Sequence, residues 1–337
     1  MKEVTPFKIF FVIVVCFIIS LSTILFSISV GSVDLPFIHI VKLFFGEDIV
    51  KKPYENVIIY ELRFPRAIFA FLVGAALSIA GIIFQVVLKN PLAEPYILGV
   101  SGGAATGAVI AIFAGIGASY LITLFSFAGA IVSIAVLIFI SSGRWGLSPS
   151  SLILGGVIIN AFFSAVVMFV ISISTGGEMR RAYFWLMGNL GNASYDTIKI
   201  ALPVVLLGGI LTFAASRKLN LIALGDETAL QLGVNVGVYT KVIIVLASFL
   251  TAGVVAWSGL IGFVGLVVPH MVRLIVGADH RITVPVSFFA GGVFLLISDT
   301  LARTLLSPIE LPVGTVTAII GAPFFLYLLK KESGKVI

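Results

Sequence analysis

An all-α protein with ten membrane-crossing helices is what this sequence predicts, and three observations carry the prediction. Of its 337 residues, 60% are hydrophobic and only 11% charged, with a mean hydropathy of +1.20. A soluble domain carries roughly 25% charged residues, so most of this chain belongs in lipid. Second, the charges punctuate the chain into apolar runs, many close to the roughly 20 residues a helix needs to cross a bilayer. Third, polar groups arrive together where a run ends. No charge occurs from Gly259 to Val268, and then Pro269, His270, Arg273, Asp279, His280 and Arg281 follow within one short span. That is the pattern of a membrane helix reaching a water interface.

The runs place the spans at about 9–30, 67–88, 97–115, 120–142, 151–172, 197–216, 239–257, 260–276, 282–302 and 312–330. The first is uncharged from Lys8 to Asp34, longer than the roughly 7–15-residue core of a signal peptide, and has no clear cleavage site; it reads as a retained helix. Arg63 and Arg66 stand three apart at the start of the second, on one face if the helix begins there. In the third, Gly99, Gly103 and Gly107 share a face by their spacing of four, which favours close helix contact over pathway lining. The fourth and fifth are joined by Ser141, Ser142, Gly143, Arg144, Trp145, Gly146, Leu147, Ser148 and Pro149, a segment rich in turn formers that can flex. Between the sixth and seventh, Gly225 to Gly233 reads as a short helix, with Asp226 and Glu227 favourable at its N-terminus and Gly233 suited to its C-cap. Such a helix is too short to stand alone and needs a surface to pack on. Lys241 to Arg273 is short for two full crossings, so Trp257, Ser258 and Gly259 are read as a turn before a short eighth helix containing Pro269.

An even number of spans puts both termini on one side. With the termini inside, 12 of the 21 Lys and Arg face the cytoplasm, a bias that weakly favours that orientation. Gln85, Thr106 and Asn160 are polar groups within apolar runs. Each either bonds another helix or lines a pathway. Cys16 is the only cysteine and reads as a small buried apolar residue. His39, His270 and His280 are too scattered for a metal-binding motif, so neither a metal nor another cofactor is expected. The formal charge of +6 points to no nucleic-acid partner.

A family resemblance rests on several of these stretches. GFVGLVVPHMVRLIVGADHR, then Asp299, Arg303 and ELPVGTVTAIIGAPFF, resemble the C-terminal half of the ABC-importer permeases that take up iron-siderophores, haem and vitamin B12. LRFPR, GAALSIAG, Gln85, NPLAEPYILGVSGGA and ALGDETALQLGV resemble motifs of the same family, in the same order and over nearly the full length. The resemblance implies one permease domain over 1–337 with a cytoplasmic coupling loop at 217–237. It implies termini inside the cytoplasmic membrane of a prokaryote, a homodimer around one pathway, two ATPase subunits below and a substrate-binding protein above. Gly225, Asp226, Glu227, Ala229, Gln231, Leu232 and Gly233 take the ATPase-coupling role. Arg63, Arg66 and Arg303 take the docking of the binding protein, against a plainer reading as headgroup anchors or, for Arg303, a partner of Asp299 four residues earlier. Asn160 takes a pathway role, and Ser141, Ser142 and Gly143 that of a gate. An iron chelate is the expected substrate because it is the commonest in the family; haem and cobalamin are the alternatives.

The rival classes lack their chemistry. There is no GxxxxGK[ST] phosphate loop, so ATP is expected to be hydrolysed on another polypeptide, with this subunit non-catalytic. The spans hold few acids, whereas an ion-driven carrier commonly couples through them. The histidines assemble no catalytic set for a membrane enzyme.

Overall fold

The computed structural model describes residues 5–31, 53–143, 146–174 and 176–333; His39, Lys42, Lys51, Lys52, Arg144 and Trp145 lie outside them. Among the described residues seven helices have the length and composition of membrane spans: α1 (Pro6–Ser29), α2 (Val57–Val87), α4 (Ser119–Ser141), α5 (Pro149–Ser172), α7 (Tyr195–Ala223), α9 (Val236–Ser258) and α11 (His280–Thr304). Three further helices, α3 (Val100–Phe113), α10 (Val264–Val276) and α12 (Val313–Ser333, apolar over Val313–Tyr327), complete the ten expected. Short helices between spans include α6 (Gly177–Leu186) and α8 (Asp226–Gln231). The sequence marked α8 but not α6.

Helix starts follow local chemistry. Pro6 and Pro149 sit in the first turns of α1 and α5, behind the caps Thr5 and Ser148, where the missing proline N–H has no partner to lose. Ser194, Asn235 and Asp279 cap α7, α9 and α11 by accepting from backbone N–H groups two or three residues on. These side chains satisfy donors a helix leaves free at its start.

α2 is the central helix, buried along nearly its whole apolar length, and packs on α7, α9, α10 and α11. Small residues permit that packing: a side chain at Gly74 would strike the Gly291 carbonyl of α11, and one at Gly81 the Gly265 carbonyl of α10. Gly103 and Gly107 of α3 likewise face Gly129 and Phe125 of α4, as the spacing predicts. Gly99 does something else. At φ +82° it turns the chain from a short 3₁₀ segment, Pro95–Leu98, into α3.

The break between α9 and α10 starts near the water boundary and runs to membrane depth, where Gly265, just past it, sits against Gly81 inside α2. Non-helical backbone survives there only if protein groups satisfy it. Tyr96 Oη accepts from Ile261 N at 2.5 Å, Glu94 Oε2 accepts from Phe263 N at 3.3 Å, and Asn189 N donates to Ser258 O at 2.8 Å. Inside α10, Pro269 has no N–H for the carbonyl four residues earlier. Gln85 Nε2 supplies a donor, at 3.1 Å from Gly265 O and 3.3 Å from Leu266 O, while its Oε1 accepts from Arg273. Gln85 is thus a buried partner for a broken helix. Replacing it with leucine is expected to cost about 1–3 kcal/mol through the carbonyl left unsatisfied, read as a lower thermal midpoint of the purified protein; an unchanged midpoint would remove this role.

Candidate docking and coupling sites

At one end of the bundle α7 gives way to α8 through Gly225, whose φ of +123° is open to glycine but strained for other residues. The other end of α8 closes as a Schellman motif: Val234 N donates to Ala229 O at 2.9 Å and Gly233 N to Leu230 O at 3.0 Å, with Gly233 at φ +83°. Six residues cannot hold a helix by themselves. Ala229 is fully buried in one cluster with Leu219, Ile222 and Val234, so its methyl seats α8 on the chain's own core instead of facing outward. Asp226 is partly spent as well, because Lys89 Nζ, just past α2, lies 2.7 Å from its carboxylate. Exposed pairs of this kind contribute up to about 1 kcal/mol.

What α8 offers outward is apolar. Leu224, Leu230 and Leu232 are each more than half exposed, beside exposed Glu227 and Gln231. Sequence reasoning picks Leu232 but misses Leu224 and Leu230, since helix period alone does not say which side of a six-residue helix its own chain covers. Behind α8, Asn220 fixes the end of α7: its Nδ2 donates to Asp279 Oδ1 at 2.9 Å, and its Oδ1 accepts from His280 N at 2.9 Å. The Arg281 guanidinium, helped by Asn220 and the Arg281 N–H, holds the Asp279 carboxyl well below the usual carboxylate range. Its stabilising contribution is therefore fully present above that ordinary range and is lost as pH falls from there down through the depressed folded value.

The three arginines gather at the opposite end. Arg66 binds both oxygens of Asp299, with Nε at 3.1 Å from each and Nη2 at 3.0 Å from Oδ1, and its Nη1 reaches Glu310 Oε2 at 2.8 Å. Arg303 Nε lies 3.2 Å from Asp299 Oδ2, and its Nη2 donates to Ser27 O at 3.1 Å. Asp299, one turn before Arg303, is completely buried and carries two guanidiniums. Arg63 differs: it is buried, and its Nη1 donates to Ile28 O and Ser29 O at 2.8 and 3.2 Å, satisfying carbonyls at the end of α1. The group borders an open cavity of about 300 Å³ that also touches Gly191, Pro308 and Glu310. Glu310 is legible in the sequence as an acid near a helix end, but not as a partner of Arg66.

The residues read as pathway or gate have local partners. Asn160 Nδ2 donates to Tyr96 O at 2.8 Å and thereby holds the 3₁₀ segment against α5; Thr106 bonds Phe163 O at 3.3 Å. Ser141 is buried and donates to Ser151 O at 3.3 Å, tying α4 to α5. Ser142 and Gly143 form a two-residue strand β1 that pairs antiparallel with β2, Gly146–Leu147. Within the segment expected as a loop, these described residues pair as two short strands.

Comparison with known proteins agrees with this architecture. The model of the FecCD transport family matches residues 15–331. An uncharacterized ABC transporter permease protein of Bacillus subtilis, YvrB, is 41% identical over 320 residues, covering 92% of this chain and 90% of that one. The hemin transport system permease protein HmuU of Yersinia pestis is 41% identical over 276 residues, covering 80% of this chain and 82% of its own. A solved inward-facing conformation assigned to a metal-chelate type ABC transporter superposes with a TM-score of 0.85 at 31% identity, covering 95% of this chain and 98% of that one. The chain therefore belongs to the FecCD transport family and is a non-catalytic, multi-pass permease subunit of a prokaryotic ABC importer.

Proposed function

We propose that this permease forms, as a homodimer, the pathway by which an iron chelate enters the cell, with two ATPase subunits on the α8 side and a substrate-binding protein on the Arg66 side. The whole chain then acts as one permease domain, with 217–237 as its coupling loop and both termini in the cytoplasm. The observation that carries the reading is the pair of faces at opposite ends of one bundle: an apolar one on α8, and a guanidinium cluster organised by a buried carboxylate. Each suits a different protein partner. Asp226 and the two glycines Gly225 and Gly233 shape the first face, while Glu227, Gln231 and Leu232 contribute surface to it.

A dimer is supported by α5, whose Leu154, Ile158, Phe162 and Phe169 stay exposed at helical spacing, an apolar stripe suited to a second copy or to lipid. Asn160, Ser141, Ser142 and Gly143 then act on the pathway by holding α5 and the paired strands before it in place. Relatives are named for hemin, for Iron(3+)-hydroxamate and for cobalamin, so chelated metals are their common chemistry. Haem and cobalamin are the readings an iron chelate competes with. The test is uptake into proteoliposomes holding permease, ATPase and binding protein, offered a ferric siderophore, haem or cobalamin. Uptake that requires ATP and survives an ionophore is expected; uptake without the ATPase, abolished by the ionophore, would overturn the importer reading.

Orientation has its own test. In a Cys16→Ser background, a cysteine at Asn192 is expected to react with an impermeant thiol reagent on intact cells, and one at Leu232 only after permeabilisation. The reverse pattern would invert both docking assignments.

A further inference from the structure

Apart from both faces, the bundle carries two adjoining cavities that neither uses. The first, about 230 Å³, lies where α4 begins and α9 ends, and is bordered by Ser119, Arg181, Trp185, Asn189 and Asn192. The second, about 280 Å³, lies farther along the same helices and is mostly apolar: Leu124 and Phe127 of α4, Val204 of α7, Phe249 and Gly253 of α9. Thr123, Ala256 and Trp257 line both, so the two adjoin across these side chains.

The change of chemistry follows the helix axis. From Ser119 to Phe127, and from Trp257 back to Phe249, is eight residues, or about 12 Å at 1.5 Å per residue. Half the hydrocarbon core of a bilayer is about 15 Å deep. The two cavities together therefore pass from a water boundary most of the way into one leaflet. At the boundary stand a guanidinium and two amides, all able to donate, and no acid lines either cavity. Trp257 stands at the seam, where an indole suits the interface between headgroup and hydrocarbon.

The geometry points to a bound anionic phospholipid, with its phosphate at Arg181 and Asn192 and one acyl chain between α4, α7 and α9. A free phosphate would leave the apolar arm empty. A hydrophobic chain alone would leave Arg181 without an anion, and Arg181 has no ion pair with another described residue.

Gly253 supplies a clean test, because a side chain there would point into the groove with only Val204 at 3.5 Å, an ordinary contact. The full-length permease would be purified in mild detergent and titrated with phosphatidylglycerol, with phosphatidylcholine of the same chains, and with glycerol phosphate, binding being followed by native mass spectrometry. Retention of phosphatidylglycerol above phosphatidylcholine is expected, with no retention of glycerol phosphate. Arg181→Gln is expected to weaken phosphatidylglycerol roughly fivefold, the worth of one basic residue near an anionic lipid, and to leave phosphatidylcholine unchanged. Gly253→Leu is expected to remove the preference by filling the groove. Both variants should stay monodisperse with unchanged helix content. Equal retention of both lipids by all three proteins would overturn the site. So would a Gly253→Leu variant that loses its dimer while keeping its lipid, since the groove would then belong to a second copy.

Discussion

Replacing Leu230 and Leu232 with glutamate is expected to abolish ATP-driven uptake and to strip the ATPase from the purified complex, while the permease still folds and inserts. Both side chains are exposed by about 60%, so neither holds α8 to its own chain. Buried apolar anchors at the centre of an interface commonly cost about 2 kcal/mol each when removed, so the double change, about 4 kcal/mol when the two add, should lower affinity roughly a thousandfold. A charge in their place adds a desolvation cost on top. The choice of residues matters. Changing Ala229 would unseat the helix from Leu219, Ile222 and Val234, and reversing Asp226 would break its pair with Lys89; either would lose coupling even if no partner ever touched those positions. Asp226→Asn serves as the control, with a loss below about 1 kcal/mol expected for an exposed pair. Normal co-purification and normal uptake by the double glutamate variant would remove the coupling role from this face.

The spans are legible in the residues because lipid imposes one rule, that every stretch of exposed backbone be helical and apolar, and charges mark where the rule stops. The same rule makes the short eighth helix and the turn at Gly259 readable from charge spacing alone. α2 starts well before the predicted position 67 because Val57 to Leu62 is apolar except for Tyr60 and Glu61, yet the two arginines that follow give the stretch the look of a loop. α6 escapes notice because its charges, Glu178, Arg180 and Arg181, rule out a span and leave no other strong signal. The sites are only half legible. A motif locates Gly225 to Gly233, but which of those side chains face the core is decided by α7 and α9 packing beneath them. Gln85 and Asn160 are equally open to pairing or pathway readings in the sequence, and the partner carbonyls come from segments 180 and 64 residues away.

The Arg66 cluster ties α2 to α11, and the docking role proposed for it can be measured apart from that stability. Asp299→Asn is expected to destabilise the permease by about 3–5 kcal/mol, because it removes the charge shared by two largely buried guanidiniums. Glu310 is 54% exposed, so Glu310→Gln should cost less than about 1 kcal/mol. Docking requires a different experiment. Arg66→Glu would set a third carboxylate against Asp299 and Glu310, and its failure would say little about a partner. Arg66→Gln and Arg303→Gln are better, since each removes one cation without adding an anion. If these arginines receive carboxylates of the binding protein, affinity should fall at least about tenfold in each, within the roughly 1.5–7 kcal/mol range of close interfacial charge pairs. The loss should shrink as salt rises, because the wild-type attraction is screened too. Neutralising the matching acid on the binding protein should then cost little more in the Arg66→Gln background than that background has already lost. Arg63→Gln is expected to act mainly on stability, since its guanidinium serves the Ile28 and Ser29 carbonyls. Lower thermal midpoints with unchanged binding-protein affinity in Arg66→Gln and Arg303→Gln would leave the cluster as an internal strut between α2 and α11, with no part in docking.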